Sequence, residues 1–319
     1  MKALIFSEGN GYGHAARDRL ISGRFKIPIM TFGKGAEYCK KNGLNFIEIP
    51  APYVIQSKKR KVTIATNYAE VASLLKPEVL ATISNHLRKV DTVIVDGSPL
   101  GLAIAMLSRK KALYITNDIS ALVGVQGMIQ RRIASSLQAS LLRYPSSIII
   151  SDFPPPLTVS MLNLATSLPL TFCGPLVERP KQVRHKKRFV VAGPLEKAVH
   201  PLLGDGALYG SDVEDLNRYY EDAELVISHG GHTTAMEALS HGKPLICIVD
   251  PAYPERVNNA LTLERLGVGV MLDKGLLNKE SLEASIGLAR TLHKERLALF
   301  ATVAKRTEPM AVFDSLLNP

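Results

Sequence analysis

The chain has 319 residues, 46% of them hydrophobic, a length and composition that suit two globular α/β domains, each able to bury its own core. Its 39 Lys and Arg against 29 Asp and Glu leave a formal charge of +10, so an anionic partner is expected, whether nucleic acid, a membrane surface or a phosphorylated substrate. There is no run of about 18 uncharged apolar residues and no cleavable leader pattern, and Cys39, Cys173 and Cys247 stand apart without C-x-x-C spacing. This argues against a spanning segment, a disulfide framework and a zinc cage and leads us to expect a cytosolic protein.

Residues 3–6 are a β-branched and aromatic run fit for a buried first strand, which leads into Ser7-Glu8-Gly9-Asn10-Gly11-Tyr12-Gly13-His14. A dinucleotide fingerprint fails here. G-x-G-x-x-G from Gly9 needs glycine where His14 stands, and the second strand, residues 26–31, ends without an acidic residue to hold a ribose. What remains is a flexible loop, with Gly11 and Gly13, that brings His14 to the carboxyl end of a strand. Open α/β sheets bind ligands there, and a histidine in that place can act as a base. A helix-start histidine without chemistry is the plain alternative.

Further strands are predicted at residues 44–49, 91–96, 112–116, 147–151 and 170–173. Helices are predicted at 35–41, at 67–87 with a break at Pro77, at 100–108 and at 125–142. This alternation predicts a parallel sheet covered on both faces. Lys58-Lys59-Arg60-Lys61, after the third strand, reads by default as a solvated loop. Pro154-Pro155-Pro156 stops regular structure, and the Pro-containing stretch 176–187, within the second basic cluster at 179–188, reads as a linker. The boundary is placed near residue 178, giving domains 1–178 and 179–319, with the last helix packing back on the first.

The second half begins with strands at 188–193 and 207–210. A capping box, Ser211 to Glu214, then opens a helix to about Asp222. A strand at 224–228 is followed by His229-Gly230-Gly231 as a tight exit and by a helix from Thr233, capped by Thr233 or the residue before it. Gly242-Lys243-Pro244, a strand at 245–249, a loop at 250–259, a helix at 260–266, a strand at 268–272 and helices at 279–292 and 294–307 complete the pattern.

A helix N-terminus offers unpaired N–H donors and partial positive charge to an anion. At the 224–238 stretch two glycines let the backbone come close, Thr233 and Thr234 add hydroxyls, and Glu237, one turn on, can accept hydrogen bonds from a ribose. His229 and His232 bracket the turn. These residues point to a phosphorylated ligand.

The spacing of this half resembles glycosyltransferases of GT-B architecture. It is similar above all to family 28, which includes the lipid II-forming N-acetylglucosaminyltransferase, and to nucleotide-sugar glucosyl- and glucuronosyltransferases. The matching residues are His229, Gly230, Gly231, Thr233, Thr234, Glu237, Ala238-Leu239, Gly242-Lys243-Pro244, Glu255-Arg256, Asn259-Ala260, Leu263 and Gly267. G-x-G-H-x-x-R, from Gly11 to Arg17, looks like a largely archaeal branch of the same family, and the resemblance implies an acceptor-side loop of Gly11, Gly13 and Arg17. The resemblance implies two Rossmann-like domains facing a cleft, with acceptor in the first and donor in the second. It further implies diphosphate at His229 and the helix start, phosphates at Thr233 and Thr234, and the ribose of a uridine nucleotide at Glu237. His14 would be a base oriented by Asp96, in an inverting, metal-independent transfer from a UDP-sugar, with no cofactor.

Departures qualify this. Where the family has an acidic-Gln pair that reads the donor sugar, Arg256 follows Glu255, and a cation cannot accept a hydrogen bond; Arg256 is expected to meet either the diphosphate or an anionic sugar. The chain between Arg188 and His229 is short for two strand-helix units, and the Gly-rich turn that often covers the diphosphate is reduced to Gly193-Pro194. Lys243 is a candidate to compensate, and Tyr209 a candidate to stack on uracil. The charge suggests a lipid-phosphate acceptor at the inner, anionic face of a membrane, with the protein peripheral to it. A nonhydrolysing UDP-sugar epimerase and a non-catalytic nucleotide-sugar binder are the competing readings. A nucleic-acid partner is disfavoured, because the basic clusters lack interleaved aromatics.

Overall fold

The computed structural model describes residues 2–51, 53–58, 61–66, 76–117, 140–178, 182–210, 212–213 and 215–318. They form two compact units, the first made of Met1–Ser151, Ser167–Cys173 and Glu308–Pro319, the second of Asp152–Thr166 and Gly174–Thr307. The chain therefore changes unit after Ser151, Thr166, Cys173 and Thr307, in place of one crossing near residue 178.

In chain order the first unit holds β1 (Ala3–Ser7), α1 (Tyr12–Phe25), β2 (Ile29–Thr31), α2 (Gly33–Lys41), β3 (Phe46–Glu48), β4 (Tyr53–Lys58) and β5 (Lys61–Thr66). It continues with α3 (Pro77–Arg88), β6 (Thr92–Asp96), α4 (Pro99–Leu107), β7 (Lys111–Thr116), β8 (Ser147–Ile150) and β9 (Leu170–Phe172). All but β4 and β5 join one parallel sheet in the order β3-β2-β1-β6-β7-β8-β9. β1 and β6, in its middle, are buried at every residue, as strands covered on both faces are.

β4 and β5 pair antiparallel as a separate ribbon, which the sequence reading missed; of the run at 58–61, Lys58 ends β4 and Lys61 begins β5, and Lys59 and Arg60 lie outside the described residues. Pro77 starts α3 at a position where its missing N–H costs nothing, so the predicted helix does not run through it; residues 67–75 of that prediction lie outside the described residues. Most of the predicted helix at 125–142 also lies outside them.

The second unit holds β10 (Phe189–Val191), α5 (Glu196–Leu203), β11 (Ala207–Tyr209), β12 (Leu225–Ser228), α6 (His232–Ser240), β13 (Leu245–Val249), α7 (Pro254–Arg265), β14 (Gly269–Asp273), α8 (Lys279–Arg290) and α9 (Lys294–Arg306). Its parallel sheet runs β11-β10-β12-β13-β14. Residues alternate between its faces: Val190, Val226 and Cys247 pack with α6, α7 and α9, while Val191, Ile227 and Ile248 pack with α5 and α8. Short connections compress the part before β12: α5 has eight residues, and a 3₁₀ turn at Leu216–Tyr219, capped by Asp215, stands where a helix from Ser211 was expected. Ser211 and Glu214 lie outside the described residues. After α9 a helix unread from sequence, α10 (Pro309–Leu317), belongs to the first unit, where Lys111 Nζ donates to the carbonyl of Leu316 at 3.1 Å.

Segment Asp152–Thr166 is fastened into the second unit by Phe153 and Val159, both fully buried in its core. Phe153 meets Phe300 of α9 edge to face, with ring centroids 4.7 Å apart. Phe300→Ala should destabilise the chain by about 3–5 kcal/mol, the usual cost of emptying an aromatic site; a loss below about 1 kcal/mol in urea unfolding contradicts this packing.

Asp18, on the buried side of α1, is 0% exposed, and neither carboxyl oxygen has a hydrogen-bond partner. Burial first and the charge of Asp96 next push its pKa well above the usual carboxylate range, against the opposing charge of Arg17. The folded chain thus keeps a proton that the unfolded chain releases above about pH 4, so stability falls as pH rises past that value. Stability measured by urea unfolding at pH 5, 6.5 and 8 should decline, by up to about 1.4 kcal/mol per pH unit, and Asp18→Asn should flatten the decline. An unchanged slope in the variant refutes this account.

Candidate active site

At the carboxyl end of the first sheet, β6 ends on Asp96, and β1 hands the chain to α1 through the glycine loop. Asp96 is fully buried and therefore needs donors. Arg17 supplies them from inside α1, with Nε 2.5 Å from Oδ2 and Nη2 on Oδ1. Its Nη1 donates to the side chains of Asn117 and Ser151, the latter at 3.1 Å. His14, one helical turn earlier and 26% exposed, places Nδ1 3.0 Å from Asp96 Oδ1. Burial alone would raise the Asp96 pKa, but the charge of Arg17 and the bond to His14 hold it well below the usual carboxylate range.

Arg17 Nη2 also lies 3.0 Å from His14 Nδ1, and because the Asp96 carboxylate can only accept, the Nδ1–H tautomer of His14 satisfies it and places the imidazole lone pair on Nε2. Gly97, with φ +65°, makes room for this ring: a Cβ there would stand 2.3 Å from His14 Cε1. The sequence reading named Asp96 and passed over the glycine that follows it.

Arg17 corrects an expectation. It was grouped with the acceptor loop, yet it is 3% exposed and its guanidinium is spent on Asp96, Asn117 and Ser151, so it supports the His14 pair from within. Gly11 is the extended N-cap of α1, at φ −151°, and Gly13 is the helix's second residue.

In the second unit β12 passes through His229, Gly230 and Gly231 into α6. The helix begins one residue earlier than expected, capped by Gly231 with no side-chain cap, so His232 is its first residue and Thr233 and Thr234 follow in the first turn, half-buried. Gly230 has φ +79°, and a Cβ there would meet the carbonyl oxygen of Arg256 at 2.8 Å, so only glycine lets α7 approach this closely. Its N–H donates to Ser228 Oγ, and its carbonyl accepts from Asn259 Nδ2, each at 3.2 Å.

The His229 ring lies against Gly193, where a Cβ would be 2.2 Å from Nδ1, and that nitrogen has no hydrogen-bond partner. Burial, then the charge of Arg256, lowers its pKa to about 4, against a smaller opposing influence of the Ala192 backbone. His229 is thus a neutral hydrogen-bonding group at pH 7.

Positive charge comes from Arg256. Residues 254–259, expected as loop, are the first turns of α7, because Pro254 occupies the first helical position, where its fixed φ suits the helix. Glu255, Arg256 and Asn259 are therefore helical residues. The Arg256 guanidinium stacks on the Tyr253 ring, Cζ 4.1 Å from the centroid, and pairs with no carboxylate among the described residues. Burial lowers its pKa, opposed by Tyr253, Glu255 and Asp250. Glu237 Oε2 accepts from the Tyr220 hydroxyl at 3.2 Å.

Two candidates fall away. Tyr209 is 3% exposed, its ring packed on His200 and its hydroxyl donating to Gly204, so it has no face for a base. Lys243 donates to the carbonyl of Glu221 at 2.5 Å. In the cluster at 179–188, whose residues 179–181 lie outside the described residues, Arg184 pairs with Asp222 and Arg188 with Glu224. Among the described residues no helix is long and apolar enough to cross a membrane, and no group of three or more His, Cys, Asp or Glu is placed to hold a metal.

Residues 208–313 match the Glycosyltransferase family 28 C-terminal domain. A Methanosarcina mazei protein named as an uncharacterized glycosyltransferase is 27% identical over 326 residues, which cover 85% of this chain and 86% of its own. The spinosyn rhamnosyltransferase SpnG, solved with thymidine diphosphate, gives a TM-score of 0.64 at 16% identity over 99% of this chain and 100% of its own. Acinetobacter baumannii MurG gives 0.61 at 14% identity over 100% of both chains. Such identities speak for fold, and the family domain and the full-length relative speak for the class of enzyme. The chain is a glycosyltransferase whose residues 208–313 match a family 28 C-terminal domain, and its two parallel-sheet units are those of the GT-B fold.

Proposed function

We propose that the chain is an inverting transferase that moves a sugar from a nucleoside diphosphate donor, UDP-linked, to an acceptor hydroxyl or phosphate. The observation that carries this reading is the hydrogen bond from His14 to the buried Asp96, which aims a base from the carboxyl end of the first sheet. His14 Nε2 takes the proton of the acceptor hydroxyl, whose oxygen attacks the anomeric carbon. The bond from that carbon to the diphosphate breaks and its electron pair leaves on the phosphate oxygen. An acceptor phosphate attacks already ionised and gives up no proton.

The diphosphate is held by the N–H groups at the start of α6, the hydroxyls of Thr233 and Thr234, the neutral His229 and the Arg256 cation, and the ribose by Glu237. These groups meet the developing negative charge in place of a divalent cation. The nucleotide reading draws support from SpnG, whose structure carries thymidine diphosphate. Arg256 is closer to the diphosphate than to the sugar in this reading, because its charge acts on His229 and its backbone lies against Gly230. For the acceptor, the net charge of +10 and the basic run at 58–61 favour a lipid-linked phosphate at an anionic surface.

The test is a donor and acceptor screen in which polyprenyl phosphate in anionic vesicles is one acceptor and UDP- and dTDP-sugars are the donors. Transfer with inversion is expected, and an epimer formed from donor alone would instead indicate the epimerase. His14→Ala should lower kcat with a hydroxyl acceptor by about 10²–10⁴-fold while leaving the Kd for UDP unchanged within about twofold. Equal rates for the two proteins remove His14 as the base. Arg256→Gln should weaken UDP binding at least as much as it alters donor-sugar preference, by about 10-fold or more, as loss of a charged hydrogen bond does. A variant with wild-type affinity for UDP but a changed sugar preference would assign Arg256 to the sugar.

A further inference from the structure

The His229-Gly230-Gly231 turn contains two glycines, residues that lose more conformational freedom on ordering than any other, so a preorganised anion site built on it needs an external brace. One is present in the second unit. Asp152, 0% exposed, accepts backbone N–H groups from Phe153 at 2.7 Å, Val159 at 3.1 Å and Ser160 at 2.8 Å, and lies 3.1 Å from His232 Nε2. His232 is itself 4% exposed. Ser160 continues the chain of bonds, its Oγ 3.4 Å from Asn259 Oδ1, and Asn259 Nδ2 reaches the Gly230 carbonyl at 3.2 Å. The circuit runs from Gly230 through Asn259, Ser160 and Asp152 to His232, and so grips the glycine turn on both sides.

We infer that Asp152 and His232 are positioning residues for the diphosphate site. Asp152 fixes the His232 ring, and with it the first turn of α6, so that the N–H groups of that turn stand ready before the ligand arrives. Neither side chain touches the ligand in this arrangement, since the His232 nitrogen nearest Asp152 is turned into the protein and the carboxylate is enclosed. The inference rests on the reading of the β12–α6 turn as a nucleoside diphosphate site.

The test compares His232→Phe, which keeps a ring and removes the donor, with His232→Gln, whose amide N–H has a similar reach. UDP and dTDP binding to the full chain is measured by calorimetry, with circular dichroism and the unfolding midpoint recorded for each protein. For the diphosphate that wild type binds, Phe should raise Kd at least tenfold in a chain that is still folded at the assay temperature, and Gln should restore it to within about threefold. A role in stability alone would lower the midpoint and leave the Kd of the folded protein where it was. Asp152→Asn, which keeps an oxygen for the backbone donors, should give an intermediate Kd, and adding His232→Phe to it should weaken binding less than the product of the two single effects. If wild type binds neither diphosphate, the reading of the turn fails and the inference with it. If wild type binds one and Phe and Gln bind it alike, the inference alone is overturned.

Discussion

A carboxylate taken out of water must be met by donors, and two such groups, Asp96 and Asp152, organise the two units around the places where chemistry can occur. Each stands at or just beyond the carboxyl end of a parallel strand, Asp96 closing β6 and Asp152 following β8. Strand polarity alone accounts for this, because in a parallel sheet all the chain exits at that end are loops leading to helix N-termini, where side chains are free of the ladder. Asp96 draws Arg17 and His14 to it, and Asp152 draws three backbone N–H groups and His232. In both cases a histidine is oriented by a carboxylate. One imidazole keeps an exposed edge and can act on a substrate, while the other is enclosed and can only hold backbone in place.

The glycines obey the same close packing. Gly97 and Gly193 each leave space that a histidine ring fills, and Gly230 admits the backbone of α7. All three have positive φ, so an alanine at any of them would be strained even before it met its neighbour. Residues with no side chain therefore set how near His14 and His229 come to the chain.

Much of this was legible in sequence. β-branched runs separated by helical periodicity gave the two parallel sheets, since a strand buried on both faces must be apolar throughout. Local spacing, which marks the end of a strand and the start of a helix, singled out His14, His229, Gly230 and Gly231, whereas Asp96 came from the family resemblance and Gly97 was passed over. What local spacing does not carry is the direction of a side chain. Arg17 looked like part of an exposed loop motif, but the demand of Asp96, 79 positions away, turned it inward. Tyr209 looked like a platform for a base, but the sheet on which it sits buried it. The partnership of Asp152 with His232 spans 80 positions, and its first member sits in a Pro-rich stretch that reads as a break. The start of α7 was misread because Pro254 signals either a loop or a first helical position, and only the packing of residues 255–265 against the sheet decides between them.

The substitution at Arg256 gains meaning from the state of its neighbour. A histidine at an anion site is usually credited with charge, yet burial and the nearby guanidinium hold His229 neutral above about pH 4, so it can contribute one hydrogen bond and no net charge. With an uncharged imidazole, a turn of glycine and threonine offers only dipoles to an anion. Arg256, stacked on Tyr253 and without a carboxylate partner among the described residues, supplies the missing charge, and by its own field keeps His229 from supplying a second one. An anion bound between them would reverse that relation, since negative charge raises the pKa of a neighbouring imidazole. As folded, the turn therefore carries the positive charge of Arg256 with a neutral imidazole beside it.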